Sequence, residues 1–319
     1  MSSNPFAADP ARRQRYLDLA TRIGTPLVQE VARRAAARNA DGDADAGSVL
    51  PAADVAALIE TFGLRDAEEL MVLGLDAAKR LARPPISGFF VGAIGLERET
   101  GDLVLGGNVE FPGATLAFTL HGEGFVFARA FSRGTSISTL AIGEAHPCAH
   151  CRQFIAEFAA SRDLLLVDPL GHRLSLSQLY PWPFDPAYLG ETGAIAGAVN
   201  WPDLSFIAAP RPEIAARLLA AGQHAHAPYG RCPAAVVLEL RDGSRFAGSV
   251  IESVAFNPGI GPLQAAIVQL LAHGRDPSEI ATCWLGSVPD GRVRHDRSTA
   301  ELLGSIAPAA ALNIVGWRA

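Results

Sequence analysis

The chain has 319 residues, of which 49% are hydrophobic, a net charge of −6 and four cysteines. That length allows two or three domains with a core in each, and basic residues scattered along an acidic chain leave no stripe for nucleic acid or an anionic membrane surface. Four cysteines make no disulfide framework, no run of about 18 apolar residues spans a membrane, and the first thirty residues lack a signal core, so a reducing cytoplasm is expected.

Residues 1–82 are expected to be helical, over 10–23, 26–38, 52–62 and 66–81, with Asp and Gly punctuation at 41–47. No catalytic constellation falls there, which suits a packing and dimerisation element. Arg83-Pro84-Pro85 ends this region and short strands begin. The continuous apolar run 89–96 suits a strand buried on both faces, and 103–111 follows after the turn at Thr100-Gly101-Asp102. A helix from His121, a strand at 138–142, a helix from Cys148 to about residue 160 and a strand at 164–167 complete a layered α/β sandwich. Six prolines between 181 and 212 mark a connector.

The strand, turn, strand and helix pattern then returns. Sliding the chain by 142 residues without a gap lays Gly101 on Gly243, Gly106 on Gly248, Glu110 on Glu252 and Val126 on Val268. Glu97 also falls on Glu239. At this offset His121 falls on Leu263, Glu123 on Ala265 and Asn108 on Val250, and no Cys pair follows. The second copy keeps the scaffold and lacks the chemistry.

That chemistry is concentrated between His121-Gly122-Glu123 and Pro147-Cys148-Ala149-His150-Cys151. One imidazole and two thiolates are three protein ligands, which leave the fourth position of a tetrahedral zinc open, the count of a catalytic site. Cys148 and Cys151, three apart at a helix start, share a face where free N–H groups and the dipole favour thiolate. Glu123, two residues from a ligand, is placed to move protons. His146 and His150 are rival ligands by proximity, but His150 faces away from Cys148 on a helix. His224 and His226 suit the end of a helix better than a metal site, and Cys232 and Cys283 suit a core. On periodicity alone Phe89 is a core residue, and Asn108 and Glu110 are turn and salt-bridge residues.

A His, a Glu two places on and a Pro-Cys-x-x-Cys after a spacer are the signature of zinc deaminases. With the repeat and the helical leader, the chain resembles the two-domain, homodimeric bacterial cytidine deaminases. Ser87-Gly88-Phe89-Phe90-Val91-Gly92-Ala93, Gly107-Asn108-Val109-Glu110-Phe111, His121-Gly122-Glu123 and the Pro147–Phe154 stretch carry the resemblance, with Ala255-Phe256-Asn257-Pro258 and Pro262-Leu263-Gln264 in the second half.

The resemblance implies a three-layer α/β/α cytidine-deaminase-like sandwich, duplicated and preceded by a small helical region. Residues 1–82 would be that leader, 83–184 the catalytic domain, 185–210 the connector and 211–319 the degenerate copy. It implies hydrolytic deamination of cytidine and deoxycytidine in pyrimidine salvage, by a homodimer with one Zn2+ per chain, in the first domain only. His121, Cys148 and Cys151 would bind zinc, Glu123 would shuttle protons, Asn108 and Glu110 would hold the ribose hydroxyls, Phe89 would lie against the pyrimidine and Phe184 would close the site. The family usually has Ala where this chain has Gly122, from which a roomier pyrimidine pocket or lower turnover is expected. A non-catalytic nucleoside-binding homologue and a polynucleotide-editing deaminase are the alternatives; the acidic balance disfavours the second.

Overall fold

The computed structural model describes residues 6–37, 46–143 and 146–319. Helix α1 (Pro10–Ala37) runs unbroken through Pro26, where the sequence predicts a boundary. A proline inside a helix costs about 3 kcal/mol, but Leu19, Leu27 and Val31 are buried along one face of this helix, and that packing holds it together. Most of the expected punctuation at 41–47 lies outside the described residues.

After the short strand β1 (Val49–Leu50), α2 (Ala52–Phe62) ends at Gly63, whose left-handed backbone directs its N–H to the carbonyls of Ile59 and Glu60. The expected helix over 66–81 is divided into α3 (Ala67–Leu73), α4 (Leu75–Ala78) and a 3-10 turn (Lys79–Leu81). Asp66 caps α3 by accepting from the Glu69 N–H. Glu69, itself buried, is gripped by Arg15 of α1 through both carboxylate oxygens.

The first sheet is built from β2 (Gly92–Glu97), β3 (Leu103–Gly107), β4 (Ile137–Ile142), β5 (Leu165–Val167) and β6 (Arg173–Ser175), in the order β1-β3-β2-β4-β5-β6. All neighbours are antiparallel except β4 and β5. Its two faces bury different sets of residues, as alternation along a strand requires. Ala93, Val104, Leu140 and Leu166 share a core with α5 (Gly122–Ser132), whereas Ile94, Leu103, Leu105, Ala141 and Val167 pack against α1 to α4. The helical leader is therefore the outer layer of the first α/β/α sandwich. Glycines permit the close approach on both sides: a methyl at Gly95 would meet Val126 at 2.5 Å, and one at Gly92 would meet the Leu75 carbonyl at 2.4 Å.

Helix α6 (Ala149–Ala156) connects β4 to β5 and stops short of the expected end near 160, giving way to a 3-10 turn (Ala159–Asp163). A single helical turn, α7 (Leu176–Leu179), follows β6. Part of the proline-rich connector, β7 (Ser205–Phe206), pairs with the last strand of the second sheet. That sheet follows the order β7-β11-β10-β8-β9, from β8 (Ala235–Leu240), β9 (Arg245–Ser249), β10 (Ile280–Ser287) and β11 (Ala311–Arg318). Here α8 (Pro212–His224) covers one face and α9 (Pro262–Ala272) the other, while α10 (Asp296–Ile306) links the parallel pair β10 and β11 as α6 links β4 and β5.

The duplication is present, but the gap-free register is corrected. Gly106 pairs with Ala93 and Gly248 with Val236, an offset of 142 in one strand and 143 in the other. The helix starts, His121 before α5 and Gly261 before α9, are 140 apart. Two residues are missing between the bridge Ile251–Ile260 and its counterpart Val109–Leu120. In the corrected register His121 answers to Gly261, Glu123 to Leu263, Glu97 to Leu240 and Arg129 to Gln269. The helices α5 and α9 pack across the junction of the halves, and there Arg129 donates to the Gln269 amide oxygen, its own counterpart, and to the Gly47 carbonyl at 3.0 Å. One core runs through both halves.

Candidate active site

The two helix starts carrying the motif residues meet at one place. His121 is the N-cap of α5 and Cys148 the N-cap of α6, both with extended backbone. The ligand atoms of His121, Cys148 and Cys151 lie within 4.8 Å of one another; Cys151 is buried and the other two residues are open to solvent. His121 Nδ1 stands 3.1 Å from Cys151 Sγ and 3.6 Å from Cys148 Sγ, and the two sulfurs are 3.6 Å apart. With zinc–ligand bonds of about 2.0–2.3 Å, the edges of a tetrahedron are about 3.3–3.8 Å. One imidazole and two thiols at these separations fit zinc.

The electrostatics favour a cation. Hydrogen bonds from Cys151 and from His121 bring the Cys148 thiol down to about 3. Cys151 is pushed the other way, by Cys148 first and by its own burial second. Glu123 is 3% exposed, and burial raises its carboxyl above the usual range. A thiol that ionises readily, beside an imidazole and a second thiol, is a donor set whose charge a divalent ion would neutralise.

Asn108 and Glu110 follow β3, on either side of the Val109 bridge. Asn108 donates to the Phe89 carbonyl at 2.8 Å and accepts from the Val91 N–H at 2.9 Å. Glu110 accepts from the N–H groups of Ile86 and Ser87, at 2.8 and 2.9 Å, and from the Ser87 hydroxyl at 2.5 Å. Burial raises the Glu110 carboxyl, but those donors outweigh it and hold it below its ordinary value. Both side chains thus shape the 86–91 segment, and each keeps spare bonding capacity: a second N–H on Asn108 and lone pairs on Glu110.

This bonding also displaces an expected strand. The run 89–96 begins its ladder only at Gly92, and Phe89 and Phe90 are each 52% exposed, because Asn108 takes up the backbone groups of Phe89 and Val91. Phe184 is exposed and stacks on Tyr188; its backbone is fastened to Gln153 of α6 by bonds of 2.8 and 3.1 Å. At Gly122 a methyl would press on Ala93 Cβ at 3.2 Å and approach Val91, so the missing methyl lets α5 lie close on β2 and leaves no open space between them.

The rival histidines separate. His150 Nε2 approaches the Asn257 carbonyl at 3.3 Å; His224 approaches the Ala198 carbonyl at 2.9 Å and His226 the Glu157 carboxylate at 2.7 Å. Cys232 and Cys283 are buried. Sequence reading gave no site role to the second half, yet Pro258, Gly259, Ile260 and Gln264 line a cavity with His121, His150 and Cys151. Residues 255–258 and 262–264 belong to the resemblance, which was the available signal.

A family model described as the cytidine and deoxycytidylate deaminase zinc-binding region matches residues 64–166, and a second with the same description matches 176–300. A cytidine deaminase of Vibrio atlanticus is 35% identical over 254 residues, 79% of this chain and 84% of the relative. One of Photobacterium profundum is 34% identical over 274 residues, 86% and 91% of the two chains. Among solved structures, a cytidine deaminase from Mycobacterium tuberculosis is 31% identical with a TM-score of 0.31, covering 34% of this chain and 90% of that one. No helix among the described residues is long and apolar enough to cross a membrane.

Proposed function

The chain belongs to the cytidine and deoxycytidylate deaminase family, and from that premise we propose that it is a zinc-dependent hydrolase that converts cytidine and deoxycytidine to uridine and deoxyuridine with release of ammonia. The observation that carries this reading is the convergence of His121, Cys148 and Cys151 within 4.8 Å beside the buried Glu123.

In this reading His121, Cys148 and Cys151 hold one zinc ion per chain, and the second half holds none. Bound there, zinc supplies Lewis-acid polarisation of the attacking water. Glu123 takes a proton from that water and passes it to N3 of the pyrimidine as the water oxygen bonds to C4; it then takes the second proton from the added hydroxyl and gives it to the amine, so that the C4–N bond breaks, ammonia leaves and the C4 carbonyl forms. Its raised affinity for protons suits a group that must both take and give them. Asn108 and Glu110 offer their spare capacity to the ribose hydroxyls, Gly122 and Phe89 border the base, and Phe184 closes the mouth. Because Asn108 and Glu110 also hold the segment that carries Phe89, sugar and base recognition are one unit.

We place residues 1–82 as the outer layer of the catalytic domain 83–184, with 185–210 as connector and 211–319 as the non-catalytic copy. The exposed Phe89, Phe90, Phe184 and Tyr188 support a homodimer that covers them. Four free cysteines support a reducing cytoplasm and a role in pyrimidine salvage there. The test is ammonia release from cytidine, deoxycytidine, cytosine and CMP, with zinc measured on the same sample and mass by light scattering. Nucleosides turned over with one zinc per chain at the His121, Cys148 and Cys151 centre, by a particle of twice the chain mass, are expected. Full zinc loading without ammonia from any nucleoside would overturn the reading.

A further inference from the structure

We propose that the chain holds a second divalent-cation site, made by His146, Asp168 and His172. Among the described residues only two groups of His, Cys, Asp or Glu bring three ligand atoms within 4.8 Å; one is the deaminase centre and this is the other. Asp168 directly follows β5, His172 directly precedes β6, and His146 lies between β4 and α6, two residues ahead of Cys148.

The carboxylate is built in. Asp168 is 5% exposed, and its Oδ1 accepts from the N–H groups of Leu170 and His172, both at 3.0 Å. Its Oδ2 faces two imidazoles, with His172 Nδ1 at 2.7 Å and His146 Nδ1 at 3.5 Å, the rings edge to face with centroids 5.1 Å apart. A clasp between the His and Asp of one turn needs His172 alone. His146 stands beyond good hydrogen-bond reach of the same oxygen but at the right distance to share an ion with it: bonds of about 2.0–2.2 Å separate neighbouring ligand atoms of a tetrahedron by about 3.3–3.6 Å. Two imidazoles and a carboxylate form a nitrogen and oxygen set for first-row divalent ions, with no thiolate to make it selective for zinc. Ligating carboxylates are typically fixed by further hydrogen bonds, as Asp168 is by two backbone amides. The His146 side chain is 45% exposed, which leaves the ion a way in and room for water. Bound here, the ion would splint the connection that carries Cys148 to the β5–β6 hairpin.

The full-length protein, dialysed against zinc alone and freed of unbound ion, is expected to retain two zinc ions per chain. His146→Gln and His172→Ala should each retain one and still release ammonia, whereas Cys151→Ala should retain one and release none. His146→Gln alters an exposed side chain, so its loss of one ion would not reflect unfolding. One zinc in the wild-type protein, or two that neither histidine variant reduces, would overturn the proposal. Ammonia release tests the deaminase reading separately, so the two fail independently.

Discussion

The two halves share a scaffold and differ in what their helices begin with. In the first, α5 starts from His121-Gly122-Glu123; in the second, α9 starts from Gly261-Pro262-Leu263. The helix joining the parallel strands starts from Cys148 in the first half and from the buried His295 in the second. A single imidazole there finds no companions: no three-ligand group in the second half appears among the described residues. Both halves keep the glycines that let a helix lie close to the sheet, Gly106 and Gly248. Packing residues persist where the fold needs them, and the two halves differ in the side chains at their helix starts.

The largest expected contrast comes from paired substitutions at corresponding places. Glu123→Gln should lower kcat about 10²–10⁴-fold while zinc stays bound. Leu263→Ala, at its counterpart, should leave kcat of the folded enzyme unchanged. Equal losses of kcat in both would break the division of labour.

The junction is tested next. Glu157, fully buried in the first half, accepts from Tyr229 at 2.8 Å and the Val254 N–H at 2.7 Å and meets His226 at 2.7 Å, all in the second. Glu157→Ala should destabilise the whole molecule by about 3–5 kcal/mol, read as a lower urea midpoint for one cooperative transition. Two separate transitions in the wild-type protein would show halves that fold independently.

Leu263→Ala itself should cost about 2–5 kcal/mol, since Leu263 is 2% exposed within the shared core.

The smallest effect concerns pH. Burial raises the Glu97 carboxyl, but hydrogen bonds from Arg133, Thr135 and Thr100 outweigh it and hold it below the ordinary 4.5. A depressed carboxyl stabilises the fold above its unfolded pKa, and that contribution fades as pH falls from about 4.5 through the lower folded value. Glu97→Gln should flatten this acid limb and cost about 1.5–3 kcal/mol at neutral pH, because Arg133 keeps Asp102 at 2.9 Å. Its counterpart is Leu240, so that position in the second half adds no such limb. An unchanged acid midpoint in the variant would remove the assignment.

The layers, the duplication and the three side chains that meet at the candidate site were legible because each rests on residue type and spacing: glycines beside turns, apolar runs, and Cys two intervening residues from Cys. Three features were not. The unbroken α1 depends on tertiary burial of Leu19, Leu27 and Val31, which outweighs the local signal of Pro26. The late start of β2 depends on Asn108, seventeen residues from Val91. The true register depends on loop lengths, and a constant offset matches the Gly101/Gly243 and Gly106/Gly248 pairs while misplacing α9. The wall formed by Pro258 to Ile260 required knowing how the halves dock.

The Arg129–Gln269 contact also draws on the two halves being different. In a strictly symmetric pair of identical subunits, a residue on the dyad faces itself, and two buried guanidiniums would repel. In this single polypeptide the two corresponding positions differ, so that one side supplies the positive charge and the other a neutral oxygen to receive it. An arginine at this place thus meets an oxygen and not a second arginine.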